Sequence, residues 1–167
     1  LPMSKEQAAA RPSRSRGVQP SCKAKAVEFL ARSDQSIRRL SDKLSRKGYG
    51  EEEIEETIQW LQSKRFIQEE EGCRRRFEFL YHDSSYSVRQ IVAKLQQQGY
   101  DRDMIRECIP DDIDEREYAV AMKVVRRRFK AGAEQQKMLQ HLYMKGFDYD
   151  TARNAVEDLR LEWDEDI

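Results

Sequence analysis

Two runs of three arginines, Arg74-Arg75-Arg76 and Arg126-Arg127-Arg128, are the densest chemistry in this sequence. A guanidinium fork takes a carboxylate or a phosphate through two parallel hydrogen bonds. Consecutive helical residues point about 100° apart, so each run fans around its helix and only one or two of each three can face one ligand. Near a helix end the second run also complements the dipole. Cys22, Cys73 and Cys108 are three cysteines at wide, irregular spacing. With no CxxC and only His82 and His141 to join them, they do not suit a zinc site, and free thiols are expected. A phosphate loop, GxGxxG, HExxH and GxSxG are all missing from the sequence. The expectation is a binding protein, not an enzyme, with no catalytic, cofactor or metal residues.

The elements that must position these side chains follow one repeating design. Setting Gly48, Gly99 and Gly146 in register aligns Leu44, Leu95 and Leu142 four residues earlier. Tyr49, Tyr100 and Phe147 follow the glycines directly, and Ile58, Ile109 and Val156 lie ten residues on. A period of about fifty residues indicates tandem repeats. With glycine just past a helix end, the leucine sits at the third-last helical position and the aromatic packs back on it, the Schellman arrangement. Gly50, Asp101 and Asp148 then suit the N-cap of the next helix, and Ser36 and Ser87 suit the N-cap of the middle helix, Ser87 as a capping box with Gln90. In the third repeat, Tyr118, Met122, Val125 and Phe129 form the apolar stripe of a helix running from about Asp114 to Phe129.

These patterns predict an all-α chain of three tandem three-helix repeats in an elongated, curved array, with no strand. The expected divisions are a disordered basic tail (1–21), repeats over 22–67, 68–113 and 114–161, and a frayed acidic tail (162–167). A charged fraction of 37% and a mean hydropathy of −0.93 suit such an array, in which each unit buries one face on its neighbours. The formal net charge is zero, yet its sign alternates: +8 over 1–50, −6 over 51–72, +3 over 73–100, −5 over 101–118, +6 over 119–147 and −6 over 148–167. Basic first and second helices followed by an acidic third predict two electrostatic faces. No apolar run spans a bilayer and the polar N-terminus has no h-region, so a cytoplasmic protein is expected.

A glycine corner between short helices invites comparison with helix-turn-helix DNA readers. A recognition helix carries basic and amide side chains into the major groove. The helix after the corner reads EEEIEETIQW in the first repeat and DRDMIRECI in the second. Its acids oppose phosphates, which excludes groove reading by that helix and leaves non-specific contact through the basic helices.

Three units with Leu-x-x-Lys/Gln-Gly-Tyr/Phe and an acidic third helix resemble the RecX family of bacterial regulatory proteins. The most similar stretch is Ala26-Val27-Glu28-Phe29-Leu30-Ala31-Arg32-Ser33, then Leu40-x-x-Lys43-Leu44-x-x-Lys47-Gly48-Tyr49. The resemblance covers roughly Cys22 to Leu159. The chain departs from the family where an Asp-Asp-x-x-Phe/Tyr-Ala start would open the second repeat, for which it has Gln68 to Cys73. It departs again at Ser84 to Ser87, where Lys-Gly is usual, while Arg89 and Ile91 match the family's Arg-x-Ile. The resemblance implies a non-enzymatic protein that binds filaments of the RecA recombinase, lies along their groove and lowers strand exchange, ATP hydrolysis and repressor cleavage. On that reading the candidate partner-binding residues are Arg38, Arg39, Arg74, Arg75, Arg89, Lys94, Arg126 and Arg127, pairing with acidic RecA surface or nearby DNA phosphates. A monomer is expected. The alternatives are a non-specific binder of single- or double-stranded nucleic acid and a helical-repeat scaffold for another protein.

Overall fold

The computed structural model describes residues 18–166. Among them are nine helices and no strand: α1 (Cys22–Arg32), α2 (Ile37–Arg46), α3 (Glu51–Ser63), α4 (Glu69–Asp83), α5 (Val88–Gln97), α6 (Arg102–Arg106), α7 (Asp114–Arg128), α8 (Gln135–Met144) and α9 (Tyr149–Glu165). They form two compact units, one of residues 18–33 and 40–67, the other of residues 34–39 and 68–166. The first turn of α2 therefore belongs with the second unit.

In the first unit α1 packs on α3, and Cys22, Ala26, Leu40, Leu44, Ile58 and Leu61 supply the core. Ser21 caps α1 by accepting from the Ala24 N–H at 3.1 Å. The residues just before it tie down the α2–α3 corner: Gln19 Nε2 donates to the Lys47 carbonyl at 2.8 Å and the Tyr49 hydroxyl to the Pro20 carbonyl at 2.5 Å. Most of the stretch expected as a tail, residues 1–17, lies outside the described residues.

The second unit holds two adjoining cores. Cys73, Phe77, Ile91, Leu95, Tyr100, Ile105 and Cys108 fill one. Val120, Val125, Met138, Leu142, Phe147 and Leu159 are prominent in the other, where α7 lies along α9. The helix α6 has five residues and stops short of Pro110, which biases the preceding residue away from helical geometry.

All three corners have the expected construction. Gly48, Gly99 and Gly146 have φ of +95°, +97° and +92°. Tyr49, Tyr100 and Phe147 donate their backbone N–H to the carbonyls of Leu44, Leu95 and Leu142 at 3.3, 3.1 and 3.1 Å. The second unit also contains a connection that the repeat pattern does not announce. The hydroxyl of Ser36, which heads α2, donates to the Gln98 carbonyl beside Gly99 at 2.6 Å. The hydroxyl of Ser87, which heads α5, donates in the same way to the Lys145 carbonyl beside Gly146, also at 2.6 Å. Glutamates complete each link: Glu69 accepts from the Ile37 N–H at 3.3 Å and Glu117 from the Val88 N–H at 2.8 Å. The middle helices of the first two repeats, α2 and α5, are thus each capped by their own serine and by an acid from the next repeat, whereas α8 follows Glu134 with no side-chain cap.

Two expectations need correction. The acidic stretch from Glu162 is not frayed, because α9 runs on to Glu165, with Glu162 held by Arg126 and Trp163 half-buried against the core. On α7 the buried positions are Glu117, Val120, Ala121 and Val125. Tyr118, Met122 and Phe129 flank that face half-buried, so the stripe is rotated to bring Glu117 inward to its backbone partner.

Candidate functional site

All eight candidate basic residues fall in the second unit. Three are already engaged with acids or a ring. Arg75 grips Asp34 through Nε and Nη2 at 3.0 and 2.9 Å, and the hydrogen bond holds the Asp34 carboxyl below its usual range. Arg126 grips Glu162 at 2.8 and 3.2 Å, which raises its own pKa. Lys94 places its ammonium 4.7 Å from the centre of the Tyr86 ring.

The others are more available. Arg38 and Arg89 occupy equivalent positions, each two residues past the capping serine. Their side chains lie against Gly99 and Gly146 of the following repeat. Arg38 reaches the Gln96 carbonyl at 3.4 Å, whereas among the described residues no hydrogen bond or ion pair occupies the exposed Arg89. Arg39 and Arg127 are likewise exposed and make no side-chain ion pair among the described residues. Arg74 lines a cleft with Glu70, Glu71, Asp101, Asp103 and Glu107, so its charge is surrounded by acids.

Two members of the arginine-rich set hold the fold. Arg76 donates to the Asp34 carbonyl at 3.1 Å and to the Gln98 side chain at 3.2 Å. Arg116, absent from the sequence-derived set, lies over the Tyr81 ring and donates to the Tyr81 and Tyr86 carbonyls at 2.9 and 2.6 Å. It also pairs with the buried Glu117 at 2.7 Å.

Sequence reasoning passed over Arg102 and Arg106. They are four residues apart on α6 and share a cleft of about 340 Å³ with Arg89. The signal was present in the repeat register. Three residues past the glycine the chain has Glu51, Arg102 and Tyr149, so the arginine replaces an acid at the head of a helix. Asp103 on α6 and Glu107 just past its end line the acidic cleft instead. Charge along this stretch of the repeat therefore divides between two clefts.

Other chemistry-bearing groups are occupied structurally. The three cysteines are buried free thiols, and burial pushes Cys22 and Cys73 above the usual thiol range. Burial lowers the pKa of His141, whose ring stands edge-on to Phe129 at 5.6 Å. No cluster of three metal-ligating side chains occurs among the described residues. No described helix is long and apolar enough to cross a membrane.

Comparison with known proteins fits this architecture. Residues 22–61 match the family model described as RecX, first three-helix domain, and residues 114–156 match that of RecX, third three-helix domain. The regulatory protein RecX of Neisseria gonorrhoeae (strain NCCP11945) is 31% identical, over 88% of this chain and 94% of its own. That of Clostridioides difficile (strain 630) is 28% identical, over 86% of this chain and 69% of its own. The crystal structure of RecX from Lactobacillus salivarius superposes with a TM-score of 0.72 at 19% identity, covering 84% of this chain and 95% of that one. A second crystal structure of regulatory protein RecX gives 0.71 at 20%, covering 82% and 73%. The structures establish the shared helical-repeat fold, and the near full-length relationship at 31% identity carries the assignment: the chain belongs to the RecX family of regulatory proteins.

Proposed function

We propose that this chain binds RecA filaments in the cytoplasm as a monomer. Binding there restrains recombinase, ATPase and coprotease activity, and so modulates recombinational repair and the SOS response. No chemical step is assigned to the chain itself. The observation that carries this reading is the relationship to proteins named regulatory protein RecX along nearly the whole chain. Arg89 supports it locally, since an exposed guanidinium with no ion pair among the described residues is ready for a partner's carboxylate. Arg38, Arg39, Arg74, Arg127 and Lys94 extend the proposed contact set. Arg75 and Arg126 join it only by giving up an existing carboxylate.

The test is the ATPase rate of RecA on single-stranded DNA as this protein is titrated in. Inhibition well below one copy per RecA is expected, and no inhibition by excess folded protein overturns the reading. Reversing charge at Arg89 and Lys94 together should weaken inhibition at least fivefold with helicity intact. An unchanged inhibition curve removes those two residues from the contact.

One observation favours a second reading, non-specific nucleic-acid binding. Tyr143 and Tyr149 are exposed and stacked at 6.1 Å, with Arg153 5.5 Å from the Tyr149 ring centre. Exposed rings beside a cation can stack bases. That reading predicts DNA binding without RecA that weakens steeply with salt.

A further inference from the structure

The cleft shared by Arg89, Arg102 and Arg106 lies between α5, α6 and the α8–α9 corner, inside the second unit. Its apolar side is made by Val88, Val92, Ile109 and Ile113. The three guanidinium groups make no ion pair among the described residues. Two of the three acids in the cleft are already used: Glu117 serves Val88 and Arg116, and Asp148 caps α9 by accepting from the Thr151 N–H at 2.8 Å. Asp114 is the remaining acid. The cleft therefore offers three uncommitted cations beside an aliphatic surface.

The position of Arg102 points the same way. It is the first residue of α6, where the helix dipole favours an acid. The same corner is built with Glu51 in the first repeat and Tyr149 in the third, so the fold does not ask for a cation there. A residue that works against its local preference without a compensating contact signals a demand from outside the fold.

We infer that this cleft is the docking site for an acidic-apolar segment of the partner protein. A carboxylate of that segment is held by the arginine forks while a neighbouring aliphatic side chain covers Val92 and Ile109. This deepens the proposed function and rests on it, because it names where a RecA filament would be held. A continuous phosphate chain suits the site less well. Among the described residues no ring lines the cleft to stack a base, and Asp114 and Asp148 stand in the path of further phosphates.

The experiment measures binding of the full chain to RecA filaments on labelled single-stranded DNA by co-sedimentation, and to the same DNA alone by anisotropy. The variants are Arg102→Glu with Arg106→Gln, and Lys123→Glu with Lys130→Gln as a charge-matched control on α7 and its exit. Both arginines are exposed and an acid suits the start of α6, so the first variant should keep its circular dichroism and urea midpoint. A loss of tenfold or more in filament affinity, with the control within twofold of the parent, is the expected result. Equal binding by parent and Arg102/Arg106 variant overturns the cleft and leaves the RecA reading standing. A parent that does not bind filaments overturns both. A loss that appears equally on DNA without RecA overturns the inference in favour of a phosphate site.

Discussion

Glu117 is a carboxylate only 8% exposed, and its place is explained by what it touches. One oxygen accepts from the Val88 N–H at the start of α5, and the other meets Arg116, whose side chain is 13% exposed. Arg116 in turn satisfies two carbonyls at the end of α4 and in the following loop. Removing one member of such a set leaves the other charge buried and under-paired, at a cost of about 3–5 kcal/mol. Glu117→Ala should therefore lower the urea unfolding midpoint sharply. Glu117→Gln keeps an amide oxygen for Val88 and should lose roughly half as much. Equal losses in the two variants would place the energy in the ion pair with Arg116 and not in the hydrogen bond to the backbone. Arg65 presents the opposite case. It has φ of +57° just past α3, and Phe66 N–H bonds the Leu61 carbonyl at 2.9 Å, so arginine fills the place that glycine takes at the other corners. Left-handed geometry costs an L-residue about 1–2 kcal/mol, and Arg65→Gly should recover up to about 1 kcal/mol after the added chain entropy. A lower urea midpoint in that variant would show that the Arg65 side chain contributes more than its strained backbone costs.

At the scale of the element, the three corners look alike in sequence and differ in surroundings. A methyl group added at Gly48 meets nothing within 4 Å. At Gly99 it would stand 2.5 Å from Ser36 Oγ, and at Gly146 2.7 Å from Ser87 Oγ. Alanine at Gly48 should cost about 1–2 kcal/mol, from the left-handed conformation alone. At Gly99 and Gly146 it must also displace the serine hydroxyl that links the repeats, adding about 1 kcal/mol. Thermal unfolding of the three variants checks the order, and equal shifts would mean that the serine yields at no cost. The corners were legible in the sequence because a Schellman turn is local: leucine, glycine and aromatic lie within six residues. The serine links were not, since Ser87 and Lys145 are 58 residues apart and a capping box already accounts for the serine. Arg75 and Arg126 were marked as partner-facing for the same reason, their acids lying 41 and 36 residues away. Arg102 and Arg106 were passed over because segment charge averages them with Asp101, Asp103 and Glu107 into an acidic helix.

At the scale of the molecule, a formal net charge of zero makes the placement of each titrating group more telling than the total. His141 lies half-buried against Phe129, and burial, then Lys145 and Arg128, lower its pKa below the unfolded value of about 6.5. The unfolded chain therefore takes up a proton there more readily than the folded one. The resulting stability is fully present above the unfolded pKa and is lost as pH falls through the folded value. Glu69 behaves in the other sense. Burial raises its carboxyl despite the Ile37 N–H, so its contribution is present below about 4.5 and lost as pH rises through the folded pKa. Asp34, lowered by Arg75, gives way only below about 3.8. These three groups predict a stability curve that declines from pH 7 toward 5 and then flattens as Glu69 offsets the loss, before falling again in stronger acid. His141→Gln should remove most of the first decline and leave the acid limb unchanged. Urea midpoints measured from pH 3 to 8 on the parent and this variant decide the matter. A variant as steep as the parent between pH 7 and 5 would show that proton uptake on unfolding occurs elsewhere than the core of the third repeat.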